Sequence, residues 1–288
     1  MSENYSFSPF TIRFGGRLVR FDRPAVMGIL NVTPDSFYDG GRHLDPSQWV
    51  SHARRMLDEG ADIIDIGVVS TRPGAQLLSP ETEAERLVPV VEAVRSGCPS
   101  ALISVDTCYA LPASKAVAAG ADMINDISGG AFDESMFPTV AALQVPYVLM
   151  HNLATPDHMQ DNPHYDDILQ SVVSFFSERL DRLHRLGVAD VVIDPGFGFS
   201  KTLDHNYQLF AELGNLRRLF PTTPLLVAIS RKSMIYKLLD TNPDGALTGT
   251  TALHAAALLA GAQMLRVHDV KEARQTIAVI GRLTNELV

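Results

Sequence analysis

A short apolar run that ends in polar residues recurs eight times along the chain, most often handing over to an amphipathic segment, and this repeat restricts the fold more than any single motif. The first run, residues 26–30, is bounded by Pro24 and Pro34, too short for a helix and apolar throughout, as a strand buried on both faces must be. Asn31 falls at its C-terminal tip. The later strands are expected at 62–69, 101–105, 123–124, 146–150, 191–193, 225–229 and 264–267. Helices are expected over 46–59, 81–96, 110–119, 135–143, 166–186, 231–239 and 250–260. The repeated succession of strand and helix predicts an α/β chain, a (β/α)8 TIM barrel running as one domain over residues 1–288. Such a barrel places its active site at the strand C-termini. Ahead of it, residues 10–23 alternate apolar and polar around Gly15-Gly16, the pattern of a hairpin that would plug the bottom of the barrel.

Composition narrows the partners. With 46% apolar residues the chain can bury one large core, and a net charge of -9 leaves no basic face for a nucleic-acid backbone. Any anionic ligand must then be held by a few placed cations. Cys98 and Cys108 offer neither a disulfide framework nor metal-ligand spacing. No apolar run approaches a membrane span and no basic stretch opens an export signal, so a cytoplasmic protein without membrane partners is expected.

The strand tips collect chemistry. Asp106 follows the third strand, Asn125 and Asp126 the fourth, His151 the fifth and Asp194 the sixth; Lys232 follows the seventh, and Arg266 and His268 lie on or after the eighth. Asp or Asn at one tip is an ordinary turn former, but a series at equivalent tips calls for a ligand. Acceptors Asp106, Asn125 and Asp194 suit the edge of an amino-oxo heterocycle, while Arg72, Arg266 and His268 beside Asn31 suit a polyphosphate. Asp65, inside the second strand, reads equally well as a carboxylate satisfied by backbone donors or as part of a site. The fragments Gly196-x-Gly198 and Ser200-Lys201-Thr202 lack the further glycines of nucleotide-binding loops. Phe199 offers a flat face beside them. Two turn-rich loops, 33–41 and 70–76, have the composition of lids.

The stretches Asn31-Val-Thr-Pro-Asp-Ser-Phe, Ser70-Thr-Arg-Pro-Gly-Ala, Asp194-Pro-Gly-Phe-Gly-Phe, Ser230-Arg-Lys-Ser and Arg266-Val-His-Asp resemble, in order and over essentially the whole chain, the dihydropteroate synthase family. The resemblance implies condensation of 6-hydroxymethyl-7,8-dihydropterin pyrophosphate with 4-aminobenzoate, magnesium as cofactor, and pairing into a homodimer. It implies that Asp106, Asn125, Asp194 and Lys232 hold the pterin with Arg266 over its ring, and that Asn31, Arg72, Arg266 and His268 take the pyrophosphate. Asn31 and Asp35 would lie on the metal side, and Thr71, Pro73, Phe199 and Ser230 would line the aminobenzoate slot. Arg72, Asp106, Asp194, Lys232, Arg266 and His268 are thereby the candidates for catalysis. The chain departs from the family pattern where Val68-Val69 replaces Gly-Glu, where Ser200 replaces a glycine before Lys201, and where Ala154 replaces a glycine after His151. The valines bear on the mobility of the second loop rather than on the reaction. Two rival functions share part of this pattern. A pterin-dependent methyltransferase acting on a corrinoid protein would have no use for Arg72, His268 or the slot, and a catalytically silent pterin-binding protein would lose the phosphate residues.

Overall fold

The computed structural model describes residues 7–32, 46–69, 77–155, 157–158, 161 and 163–283. In chain order its elements are β1 (Phe10–Phe14), β2 (Arg17–Phe21), β3 (Ala25–Asn31), α1 (Pro46–Asp58), β4 (Ile63–Gly67), α2 (Pro80–Gly97), β5 (Leu102–Asp106), α3 (Ala110–Ala118), β6 (Met123–Asp126) and α4 (Met136–Leu143). There follow β7 (Tyr147–Met150), α5 (Ile168–Arg185), β8 (Val191–Asp194), α6 (Leu203–Ala211), α7 (Leu213–Leu219), β9 (Leu226–Val227), α8 (Ser233–Tyr236), α9 (Leu247–Leu259), β10 (Met264–Val267) and α10 (Val270–Leu283). Strands β3 to β10 form one parallel sheet in the order β8-β7-β6-β5-β4-β3-β10-β9. A bridge between Ile193 and Leu225 joins its two ends, which closes the barrel.

Period-two alternation sorts each strand between two cores. Val26, Leu30, Ile64, Ile66, Ile103, Val105, Ile124, Leu149, Ile193, Leu265 and Val267 belong to the large outer core under the helices. Met27, Ile63, Met123, Val148, Val192, Leu226 and Met264 belong to the inner one. The antiparallel ribbon β1–β2 supplies Ile12, Phe14 and Phe21 to that inner core and so seals the barrel at its strand N-termini. Its turn is Gly15-Gly16, both at positive φ (53° and 81°), which side chains with a Cβ adopt only at a cost. Asp62 bonds the Val26 amide and ion-pairs with Arg23 and Arg274, tying the same end together from outside.

Several boundaries differ from the sequence-based expectation. The helix expected at 231–239 shrinks to Ser233–Tyr236; at its start Arg231 adopts positive φ (55°), which helical geometry does not accept, and past its end the chain runs on in turns to Asp240, also at positive φ (49°). The strand expected at 225–229 keeps only Leu226–Val227 in the ladder. Helices α6, α7 and α10 complete the outer ring where no helix was expected. Trp49 is buried in the outer core, as its place on an apolar stripe implies. Among the described residues no helix is long and apolar enough to cross a membrane.

Candidate active site

The alternation that fills the lower barrel with Ile63, Leu102, Met123, Val192 and Met264 continues upward in steps of two to Asp65, Asp106, Asn125, Asp194 and Arg266. The inner wall therefore changes from apolar to charged within one strand, and five polar side chains from five strands share one face of the barrel.

Arg266 is the centre of the group. Its Nε donates to Asp65 Oδ2 at 2.6 Å and its Nη2 to Asp106 Oδ2 at 2.7 Å. Asn125 Nδ2 donates to the same Asp65 oxygen at 3.0 Å. Asp65 Oδ2 is thus held by side chains, not by the backbone donors that were one expectation for it, and fixes both the guanidinium and the amide orientation, while Oδ1 is buried without a hydrogen-bond partner. Asp194 accepts from the Gly196 amide at 2.8 Å. Lys232 Nζ donates to the Phe197 carbonyl at 2.5 Å and stands 4.7 Å from the centre of the Phe199 ring, within cation–π range. Each carboxylate keeps acceptor sites beyond these bonds, so the rim can receive ring donors without first breaking an ion pair.

Burial raises the Asp106 carboxyl to about 7, against the pull of Arg266, and the facing Asp65 adds to the rise. Asp194 is likewise raised by burial, opposed by Lys232. Burial lowers Lys232 to about 8, with Asp194 opposing. Burial alone would lower Arg266, but Asp65 and Asp106 outweigh it and keep the guanidinium charged. Burial opposes each charge while its neighbours support it, which makes the rim one coupled field rather than separate ligands.

His268 and Ser230 form a second group. Ser230 Oγ lies 3.1 Å from both the backbone amide and the Nδ1 of His268, joining the end of β10 to the loop after β9. Burial and then the cations Arg266 and Arg231 push His268 down to about 4; the residue is exposed at the mouth, so the cationic contribution is the one that survives hydration. Arg231 itself pairs with Asp244 and Asp269. Asn31 ends β3 on the exposed side of the rim. A Cβ placed on Gly67 would come within 3.2 Å of Asn31 Oδ1 and 3.6 Å of Asp106 Cβ, so glycine keeps this corner open.

The corner bears on magnesium. Among the described residues no three His, Cys, Asp or Glu side chains gather into a metal cage. A magnesium ion that travels with a polyphosphate needs only one or two protein oxygens, the remainder coming from phosphate and water, and the Asn31 amide oxygen is a hard donor of the required type. The residues present fit the ion on those terms.

Asp106, Asn125, Asp194, Lys232 and Arg266 are thus brought together, with Phe199, Ser230, His268 and Asn31 around them. Asp35, Thr71, Arg72 and Pro73, with the whole of both expected lids, lie outside the described residues. Two tip residues turn away from the rim: Asp126 is buried under Tyr147, Ser128 and Gly130, and His151 is buried against Lys201 and Phe175. Glu83, near the start of α2, is buried and raised to about 7 by that burial, with Thr107 opposing. Asp65 and Lys201 were not singled out as site residues. The in-strand parity of Asp65 with Ile63 was the signal available for the first; the second has none, because its position depends on a loop path.

The three departures from the family pattern are accommodated locally. Val68 is buried and Val69 packs on the outer core. Ser200 holds φ at 46°, a conformation that favours glycine, and its hydroxyl donates to Asn152 Oδ1 at 2.8 Å. Ala154 packs against Cys108, Ile127, Met150 and Phe199.

Residues 27–268 match the family described as pterin binding enzyme. The chain is 42% identical over 267 residues to dihydropteroate synthase of Escherichia coli strain K12, covering 92% of this chain and 93% of the relative. It superposes on the crystal structure of the Yersinia pestis dihydropteroate synthase with a sulfonamide drug, with TM-score 0.88, 42% identity and coverage of 96% and 100% of the two chains. For the Xanthomonas albilineans enzyme in complex with 7,8-dihydropteroate the TM-score is 0.83 at 38% identity, over 95% and 98% of the chains.

Proposed function

We propose how a chain that belongs to the pterin-binding enzyme family, and within it to the dihydropteroate synthases, divides its rim between its substrates. It is a transferase that joins 6-hydroxymethyl-7,8-dihydropterin pyrophosphate to 4-aminobenzoate, giving 7,8-dihydropteroate and pyrophosphate. The observation that carries the division is the inner-wall set of Asp106, Asn125, Asp194, Lys232 and Arg266, gathered by strand parity and charged by mutual support. Asp194 and Asp106 accept from the donors of the pterin ring, Asn125 and Lys232 meet its acceptors, and Arg266, fixed by two carboxylates, covers a face. Phe199 and Ser230, with Thr71 and Pro73, border the aminobenzoate slot.

Asn31, His268, Arg72 and the outer edge of Arg266 take the pyrophosphate. Magnesium, held by Asn31 and Asp35, would neutralise charge on the leaving group. The reacting carbon is a methylene on an electron-rich ring, so departure of pyrophosphate runs ahead of attack, and Asp106 and Asp194 stabilise the positive charge that develops. An arylamine is neutral and nucleophilic at pH 7; no general base is assigned. Closure of segments 33–41 and 70–76 keeps water from the same carbon.

A homodimer and a cytoplasmic location are part of this proposal. Exposed Leu259 on α9 and Val279 and Leu283 on α10 supply apolar surface for pairing two copies through outer helices. Cys98 and Cys108, both free thiols, suit a reducing compartment.

The test is incubation with pterin pyrophosphate and 4-aminobenzoate with and without magnesium, together with calorimetry of 4-aminobenzoate. Product should form only with magnesium. The aminobenzoate should bind poorly to the free protein and well once magnesium pyrophosphate is present; equal affinity in both states would remove the ordered slot.

A further inference from the structure

Behind the rim lies a buried ammonium that none of the roles above uses. Lys201 is among the largest fully buried side chains of the protein. Its Nζ lies 2.9 Å from His151 Nδ1 and donates to the carbonyls of Gly196 and Phe199 at 3.0 Å each. Among the described residues no carboxylate pairs with it directly. A lysine is seldom buried without such a partner, because its ammonium loses hydration with no opposite charge in contact. The three acceptors instead come from the two ends of one loop and from the tip of the neighbouring strand β7.

That loop bears on both halves of the pterin slot. Gly196 donates to Asp194, the Phe197 carbonyl holds Lys232, and Phe199 lies beneath the Lys232 ammonium. Gly196 has φ of 69°, and a Cβ there would collide with the His151 carbonyl, so the loop is pressed against β7 at this point. The loop is pinned further by Tyr165 Oη on the Ser200 carbonyl at 2.8 Å and by Asn206 Oδ1 on the Gly198 amide at 2.6 Å. The Phe199 amide donates to the Gly196 carbonyl at 3.1 Å, and Lys201 adds a bond to the carbonyl of each of these two residues.

We propose that Lys201 is a positioning residue of the pterin site: it fixes the loop that carries Phe199 and holds Lys232, and from the rear its charge adds to those of Lys232 and Arg266 in favouring the ionised form of Asp194. The inference rests on the division of the rim given above. Several groups face this pair. Lys232 and Arg266 approach Asp194 from the loop after β9 and from β10. Lys201 faces Asp194 on β8 and His151 on β7, with Lys232 beyond them. Arg179 on α5 faces His151, and His205 on α6 stacks edge-on with Tyr165. His151 is kept neutral by burial and then by Lys201 and Arg179, so it accepts through Nδ1 without adding charge. Burial lowers Lys201 to about 7, with Asp194 opposing, and the counter-charge is therefore present chiefly below neutrality.

The sign follows. With Lys201 replaced by methionine, Asp194 holds its proton to higher pH, and a protonated carboxyl cannot accept both ring donors. Above neutrality the wild-type amine has itself lost its proton and the two proteins converge. Calorimetry with 6-hydroxymethyl-7,8-dihydropterin should show Lys201→Met severalfold weaker than wild type at pH 6 and clearly less so at pH 8. A loss equal at both pH values, or no loss, overturns the proposal, since a purely structural defect is not steeper in acid. If Lys201→Met does not fold, Lys201→Gln, which retains two donors, carries the same comparison. The wild type gives a further readout by carbon NMR of the lysine ε-methylene. Saturation with the dihydropterin should raise the Lys201 titration midpoint, and an unmoved midpoint overturns the proposal. Failure of the wild type to bind the dihydropterin at all would instead defeat the pterin assignment, which separates the two readings.

Discussion

The two ends of the barrel are built from the same strands and differ in what the inner parity carries. At the strand N-termini, Ile12, Phe14 and Phe21 of the ribbon close over Met27, Ile63, Met123 and Val192, an interior with nothing to satisfy but contact. Two residues further along β4, β6 and β8, the same face holds Asp65, Asn125 and Asp194. Apolar burial there is exchanged for buried charges whose mutual attraction roughly offsets their lost hydration. The lower end is therefore expected to supply stability and the upper end affinity and rate, and each substitution below tests whether the ends separate in this way.

The largest effect is expected at the bottom. Phe14→Ala removes a buried ring from the plug and should cost about 3–5 kcal/mol of stability, while kcat and KM of the folded fraction stay near wild type. A melt with little change, or a folded protein with altered KM, would break the comparison. At the opposite end, Arg72→Ala removes a cation expected to reach the pyrophosphate as the second loop closes, stabilising the departing charge more than the resting substrate. Turnover should fall by about ten- to thousandfold with the melting temperature unchanged and affinity for the unphosphorylated dihydropterin nearly so. If Arg72→Ala instead abolished binding of the alcohol, the pterin and phosphate halves of the rim would not be separate.

Asp194→Asn comes next. One charge and one acceptor are lost at a site fully buried behind the pterin, and a charge-assisted bond contributes about 1.5–3 kcal/mol. Calorimetry should show that loss in dihydropterin affinity, with the thermal midpoint falling less than for Phe14→Ala, because the relief of unburying a carboxylate is offset by the counter-charge lost to Lys232 and Lys201. Unchanged affinity would take Asp194 out of the site.

The separation of the two ends also explains what could be read from the chain alone. Strand tips at Asp106, Asn125 and Asp194 were legible because each directly ends an apolar run, and the (β/α)8 barrel because the runs recur. Ribbon and plug were legible from Gly15-Gly16. Asp65 was ambiguous, since a carboxylate within an apolar run gives no indication of which side chains will meet it. His151 was misleading: it stands at a tip like the others, yet the contact of Gly196 with its carbonyl and the Lys201 ammonium at Nδ1 draw it under the loop. Lys201 was hidden by its setting among turn formers, where a solvated lysine is the usual outcome. Helix 231–239 was overestimated because the positive φ of Arg231, tied by its amide to Thr250 and by its side chain to Asp244 and Asp269, is set by tertiary contacts.

The smallest effect is expected at His268, at the mouth between the two halves of the rim. Its ring, lowered to about 4 by burial and then by Arg266 and Arg231, is neutral at pH 7 and offers the pyrophosphate a hydrogen-bond donor rather than a full charge. His268→Ala should therefore reduce turnover by less than Arg72→Ala does. The folded state binds fewer protons at this ring than the unfolded chain does just below the ordinary imidazole value of 6.5, so its contribution to stability is present above that value and falls as pH falls through the lowered one. Bound anion reverses the local field: magnesium pyrophosphate beside Nε2 favours the added proton, and the NMR titration midpoint of His268 should move upward when the complex forms. An unmoved midpoint would place His268 outside the phosphate half, leaving its contact with Ser230 as a structural tie between β10 and the loop after β9.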